Sequence, residues 1–119
     1  MPSDAIDRNA LNNLLAMFNG DTTFLMQVID TYLSDAAGLL NTIRRSAQGG
    51  QADELRRAAH SLKSNSANLG ATDLTALCRE LEELGKNGSV AGASDRLAEL
   101  ETEFEKVRAE LKALQEKGL

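Results

Sequence analysis

The sequence predicts an all-α fold, an antiparallel four-helix bundle with an additional short N-terminal helix. Three observations lead there. The only proline in the 119 residues is Pro2, so no later segment carries a proline that would interrupt a helix. Alanine, leucine and glutamate, all good helix formers, are abundant. Apolar residues recur at spacings of three and four in five successive segments, separated by glycine-bearing breaks. Hydrophobic residues at 42% and charged residues at 26% are the balance of an ordinary globular protein rather than a disordered one. The length suits one domain spanning 1–119 and is too short for two.

The first helix is expected to be capped by Ser3 or Asp4 and to end at Asn19 and Gly20, with Ile6, Ala10, Leu11, Leu14, Leu15 and Phe18 on one side. Asp21 then caps a longer helix whose stripe includes Leu25, Ile29, Tyr32, Leu33, Ala36, Leu40, Ile43 and Ala47. Phe24, Val28 and Leu39 widen that stripe. Such a face must meet more than one neighbour, and the short first helix is its natural extra cover. Arg44 and Arg45 fall in the last turns, where cations suit the helix dipole. Gly49 and Gly50 break the chain, Gln51 takes the next cap position, and Asp53 and Glu54 fill the first turn of the third helix. Gly70 ends it. The fourth helix starts near Thr72 or Asp73, runs to about Asn87, and buries Leu74, Leu77, Cys78, Leu81 and Leu84. Gly88, Ser89, Gly92 and Ser94 mark the last break. Beyond it Leu97, Leu100, Phe104, Val107, Leu111 and Leu114 form a heptad seam. That seam fits either a coiled-coil dimer or the last helix of a bundle; the bundle is favoured, because the other three long helices each have a stripe needing cover. Glu99, Glu101, Glu103 and Glu105 read as a solvated face.

The third helix holds His60, the single histidine. Leu55, Ala59, Leu62, Ser66 and Leu69 share its buried face at about 100° per residue. Measured from Leu55, His60 lies roughly 140° away on the polar side, with Lys63 at roughly 80°, Arg56 at roughly 100°, Ala67 at roughly 120° and Ser64 at roughly 180°. The imidazole therefore faces solvent, with small side chains one and two turns onward. From Thr42 to Asn65 five cations (Arg44, Arg45, Arg56, Arg57, Lys63) stand against two acids (Asp53, Glu54), a local balance of +3 around His60.

His60, Leu62, Lys63, Ser66, Asn68, Leu69, Gly70 and Ala71, continued by Leu74, Leu77, Cys78, Leu81 and Glu82, resemble the signature of histidine-containing phosphotransfer domains, the HPt modules of multistep phosphorelays. The likeness extends loosely over most of the chain. Where the family usually has glycine after the lysine, this chain has Ser64, the next smallest polar residue, which narrows access to the imidazole without closing it. The resemblance implies a phosphorylated His60. It implies that Glu82 hydrogen-bonds the other ring nitrogen and that Lys86, four residues on, lies near the phosphoryl group. It also implies partners: receiver domains of response regulators or hybrid histidine kinases, which supply the catalytic aspartate and metal.

The residues themselves allow that chemistry. A neutral imidazole is a competent nucleophile near pH 7, free imidazole having a pKa of roughly 6.5. The phosphoryl brings nearly two negative charges, which Lys63 can pair and Arg56 can attract from the turn before. Glu82, by accepting the proton of one ring nitrogen, would leave the other free to attack. As a plain surface pair, Glu82 and Lys86 would be worth only a few tenths of a kcal/mol. Arg56, Ser64 and Ala67 are expected to form the docking face.

Other classes fit less well. One histidine and one cysteine on different faces cannot supply the ligands of a metal site, and no cofactor is called for. No phosphate-binding glycine loop and no nucleophile with base and orienter occurs, so the chain is expected to be a phosphotransfer intermediate without its own ATP site or kinase activity. A net charge of −5 argues against nucleic acid. No signal peptide and no long apolar run is evident, and a lone cysteine forms no internal disulfide, so a cytoplasmic monomer without membrane insertion is expected. Cys78 is expected to be packing, not chemistry. The alternatives are a non-enzymatic helical adaptor dimerising through its last helix, and the phospho-accepting domain of a chemotaxis-type kinase.

Overall fold

The computed structural model describes residues 5–118, which form five helices: α1 (Arg8–Met17), α2 (Thr22–Gln48), α3 (Ala52–Asn68), α4 (Thr72–Lys86) and α5 (Ala93–Lys117). The last four make the bundle. α3 packs between α2 and α4, α5 closes the ring against α4 and α2, and α1 lies beside α2. Short connections at 49–51, 69–71 and 87–92 keep successive long helices antiparallel.

The expected stripes become the core. Leu25, Ile29, Tyr32, Ala36, Leu40 and Ile43 of α2 are buried, as are Leu55, Ala59, Leu62 and Ser66 of α3 with Leu69 just beyond it, and Leu74, Cys78 and Leu81 of α4. Leu33, Ala47, Leu77 and Leu84 are partly buried against this core. All six residues of the heptad seam, Leu97 to Leu114, are buried inside the chain's own bundle. The seam is thereby covered without a second copy. Burial pushes the Cys78 thiol up to about 12, so it stays protonated and inert.

Capping follows the sequence in α2, where the Asp21 carboxylate accepts from Phe24 N at 3.0 Å. It departs from it in α1. Ser3 and Asp4 lie outside the described residues, and the cap is Asp7, which accepts from Asn9 N through its side chain. Ile6 is buried from the segment before α1 rather than from a helical stripe. That segment is held at two points. Asp7 N donates to Gly70 O at 2.8 Å, and Glu110 of α5 accepts from Ala5 N at 3.0 Å and Arg8 Nε at 3.4 Å. Gln51 occupies the cap position of α3 but its side chain makes no capping bond, leaving Asp53 and Glu54 to meet the positive end of the helix.

Gly70 permits the turn between α3 and α4. Its φ is +80°, and a Cβ there would stand 2.8 Å from both Ala10 Cβ and Asp7 O. A polar tie crosses the core one turn earlier, where Tyr32 and Ser66 share a buried hydrogen bond of 2.8 Å. It fixes the face of α3 that carries the opposite, exposed side. None of these helices is long and apolar enough to cross a membrane.

Candidate functional site

α3 presents His60 outward because Leu55, Ala59, Leu62 and Ser66 hold its other face in the core. The imidazole is 57% exposed. Across from it, α4 runs antiparallel and carries Glu82, whose Oε2 lies 2.8 Å from His60 Nδ1. Glu82 is mostly covered, at 16% exposed, and its second oxygen meets Lys63 Nζ at 2.5 Å in an ion pair. One carboxylate thus holds both the imidazole and the lysine of the facing helix.

Lys63 foremost, and then His60, hold the Glu82 carboxyl below its usual range, against the opposing effect of burial. An ionised carboxylate only accepts, so the proton of the shared hydrogen bond sits on Nδ1 and the lone pair of the neutral ring is on Nε2. The free nitrogen belongs to an exposed ring. No group of three or more His, Cys, Asp or Glu able to hold a metal ion occurs among the described residues.

The remaining candidates fall around this pair. Ser64 and Ala67 are exposed, on the turns of α3 beyond His60. Lys86 is exposed one turn past Glu82 and enters no ion pair among the described residues. Arg56 lies one turn before His60 but is engaged within α3, its guanidinium donating to Asp53 Oδ1 at 3.0 and 3.3 Å. The positive surround expected from residues 42–65 is accordingly weaker than its count. Arg56 and Arg57 pair with Asp53, Arg44 pairs with Glu101 of α5, and Lys63 pairs with Glu82 of α4. A count along one stretch omits acids brought in by other helices.

One feature escaped the sequence reading. An apolar groove of about 920 Å³ runs between α1, α2 and the end of α3, lined by Leu14, Met17, Phe18, Phe24, Val28 and Ala67 among others. Met17 is 76% exposed and Phe24 45%. Here α1 covers α2 only in part, Phe18 meeting Phe24 edge to face at 4.6 Å. The signal was present: the α2 stripe is broader than one neighbour can hide. Ala67 joins this groove to the His60 face.

The model of the Hpt domain matches residues 27–110. The chain belongs to the Hpt family. Its Hpt fold is also that of histidine-containing phosphotransfer protein B (HptB) from Pseudomonas aeruginosa PAO1, whose crystal structure superposes with a TM-score of 0.88 at 30% identity over 97% of each chain. Among curated proteins none matches the chain. As an Hpt protein the chain is a phosphorelay intermediate that carries a phosphoryl group on a histidine.

Proposed function

We propose that His60 is the phosphoryl carrier, that Nε2 is the accepting atom, and that the chain exchanges the group with aspartates of receiver domains in response regulators or hybrid histidine kinases. The observation that supports this most is the 2.8 Å contact between His60 Nδ1 and the ionised Glu82, which fixes the proton on the nitrogen that does not react. In the forward step the Nε2 lone pair forms the N–P bond while the bond from phosphorus to the receiver aspartate breaks. The aspartate leaves as a carboxylate. The phosphorylated ring keeps its Nδ1 proton and carries a positive charge that Glu82 balances, and the reverse step returns the group to an aspartate.

Lys63 and Lys86 supply positive charge for the phosphoryl oxygens, Lys63 by turning from Glu82 toward them. Arg56 contributes a field from the preceding turn. Ser64, Ala67 and the groove beside Phe24 and Met17 form the receiver's docking face: low, partly apolar and continuous with the imidazole. The chain acts as a single module over 1–119, as a cytoplasmic monomer, and with no kinase activity of its own.

Incubation with a receiver labelled on its aspartate tests the proposal. The protein should take up label quickly, in a form lost in acid and stable in alkali. Absence of label, together with a dimer in solution, would instead favour a non-enzymatic adaptor.

A further inference from the structure

Gly85 lies inside α4, where glycine is a poorer helix former than alanine, and it is buried. The reason is the approach of α3. A Cβ on Gly85 would stand 2.6 Å from Ala52 O, 2.8 Å from Arg56 N and 2.9 Å from Arg56 Cβ. Two of those atoms are backbone, so no rotamer change relieves the overlap and the helices themselves must part. Gly38 of α2 makes the contrast, with nothing within 4 Å of the position a Cβ would take.

The contact is placed where parting matters. The two helices are antiparallel, so Arg56, one turn before His60, faces Gly85, just under one turn after Glu82. The bond between His60 Nδ1 and Glu82 Oε2 spans the same helix pair next to it. At 2.8 Å it has only a few tenths of an ångström to lose before a hydrogen bond of this kind weakens.

We infer that Gly85 is a positioning residue: its missing side chain sets the spacing of α3 and α4 that lets Glu82 hold the proton on His60 Nδ1. This deepens the proposed function and rests on it for its effect on transfer, while its effect on the ring can be read separately. With a methyl group at position 85, Glu82 no longer reaches the imidazole at bonding distance, the ring populates both neutral tautomers, and part of the protein presents a protonated Nε2 that cannot attack.

The test compares imidazole ¹⁵N spectra and transfer rates of the parent, Gly85→Ala and Gly38→Ala, with sucrose present to favour the compact state. The parent and Gly38→Ala should show the ring protonated on Nδ1 alone when neutral. Gly85→Ala should show a mixture of tautomers with transfer slowed about tenfold, in line with a sub-ångström misplacement of a reacting group. In a Glu82→Ala background Gly85→Ala should bring no further loss, since the two changes act through one bond. A Gly85→Ala protein with the parent's tautomer, an additive loss with Glu82→Ala, or a Gly85→Ala protein that cannot fold even in sucrose would each overturn the inference, the last by making the glycine purely structural. A parent with the fixed tautomer that takes no phosphoryl from any receiver would refute the proposed function and leave the geometry standing.

Discussion

Ser66 and Glu82 show how single residues divide the work between fold and site. Ser66 is buried and bonded to Tyr32, whose hydroxyl burial pushes up to about 12. Burial keeps that hydroxyl neutral at working pH against the opposing pull of the Ser66 bond, and the stability that goes with the buried neutral phenol is present below its unfolded pKa of roughly 10 and lost as pH rises toward 12. Tyr32→Phe leaves Ser66 Oγ buried without its partner and should cost about 1–2 kcal/mol, read as a lower denaturation midpoint with an unchanged slope. Glu82 behaves oppositely. Its folded pKa is depressed, so its contribution is complete above the unfolded value of roughly 4.3 and is lost as pH falls through the folded pKa. The stability difference between the parent and Glu82→Gln should shrink as pH is lowered below about 4. A gap that stays constant to lower pH would show that the Lys63 and His60 contacts do not hold the carboxylate.

At the scale of elements, α3 was legible in the sequence because its buried residues keep the helical period and leave His60 on the polar side. What the period cannot convey is which neighbour faces which. The Lys63 to Glu82 pair, the pairing of Arg44 with Glu101, and the tight approach at Gly85 each join residues from different helices. In sequence Gly85 is only a weak point in a helix, and Asp7 gives no sign that its amide will meet Gly70. Two predictions follow from α3 and its junction. Ser64→Arg and Ala67→Trp add bulk to exposed positions, so melting temperature should stay nearly constant while receiver binding and transfer fall; Ser64→Gly should keep or improve transfer at a helix cost of up to about 1 kcal/mol. Normal transfer by both bulky variants would move the docking face elsewhere. Gly70→Ala meets both a left-handed φ and the contacts with Ala10 and Asp7, and should cost about 2–4 kcal/mol in chemical denaturation.

For the whole molecule, the decisive feature is that α5 spends its apolar seam on α2 and α4. A seam turned inward leaves the helix with a charged outer face, where Arg108 pairs with Glu105 and Arg96 with Glu99. Sedimentation should therefore give a monomer. Phe104→Glu would bury a charge in the core and should unfold the chain rather than release folded monomers from a dimer. The bundle holds α3 against α4 on one side, where His60 meets Glu82, and opens a groove toward α1 at the C-terminal end of α3.

The direct measurement is ³¹P and ¹⁵N NMR of the protein after it has been phosphorylated by a labelled receiver. One phosphorus should couple to Nε2 of His60 while Nδ1 keeps its proton, and the His60→Gln protein should show no such signal. Phosphorus on Nδ1, or on any residue other than His60, would contradict a site in which Glu82 reserves Nε2 for the phosphoryl group.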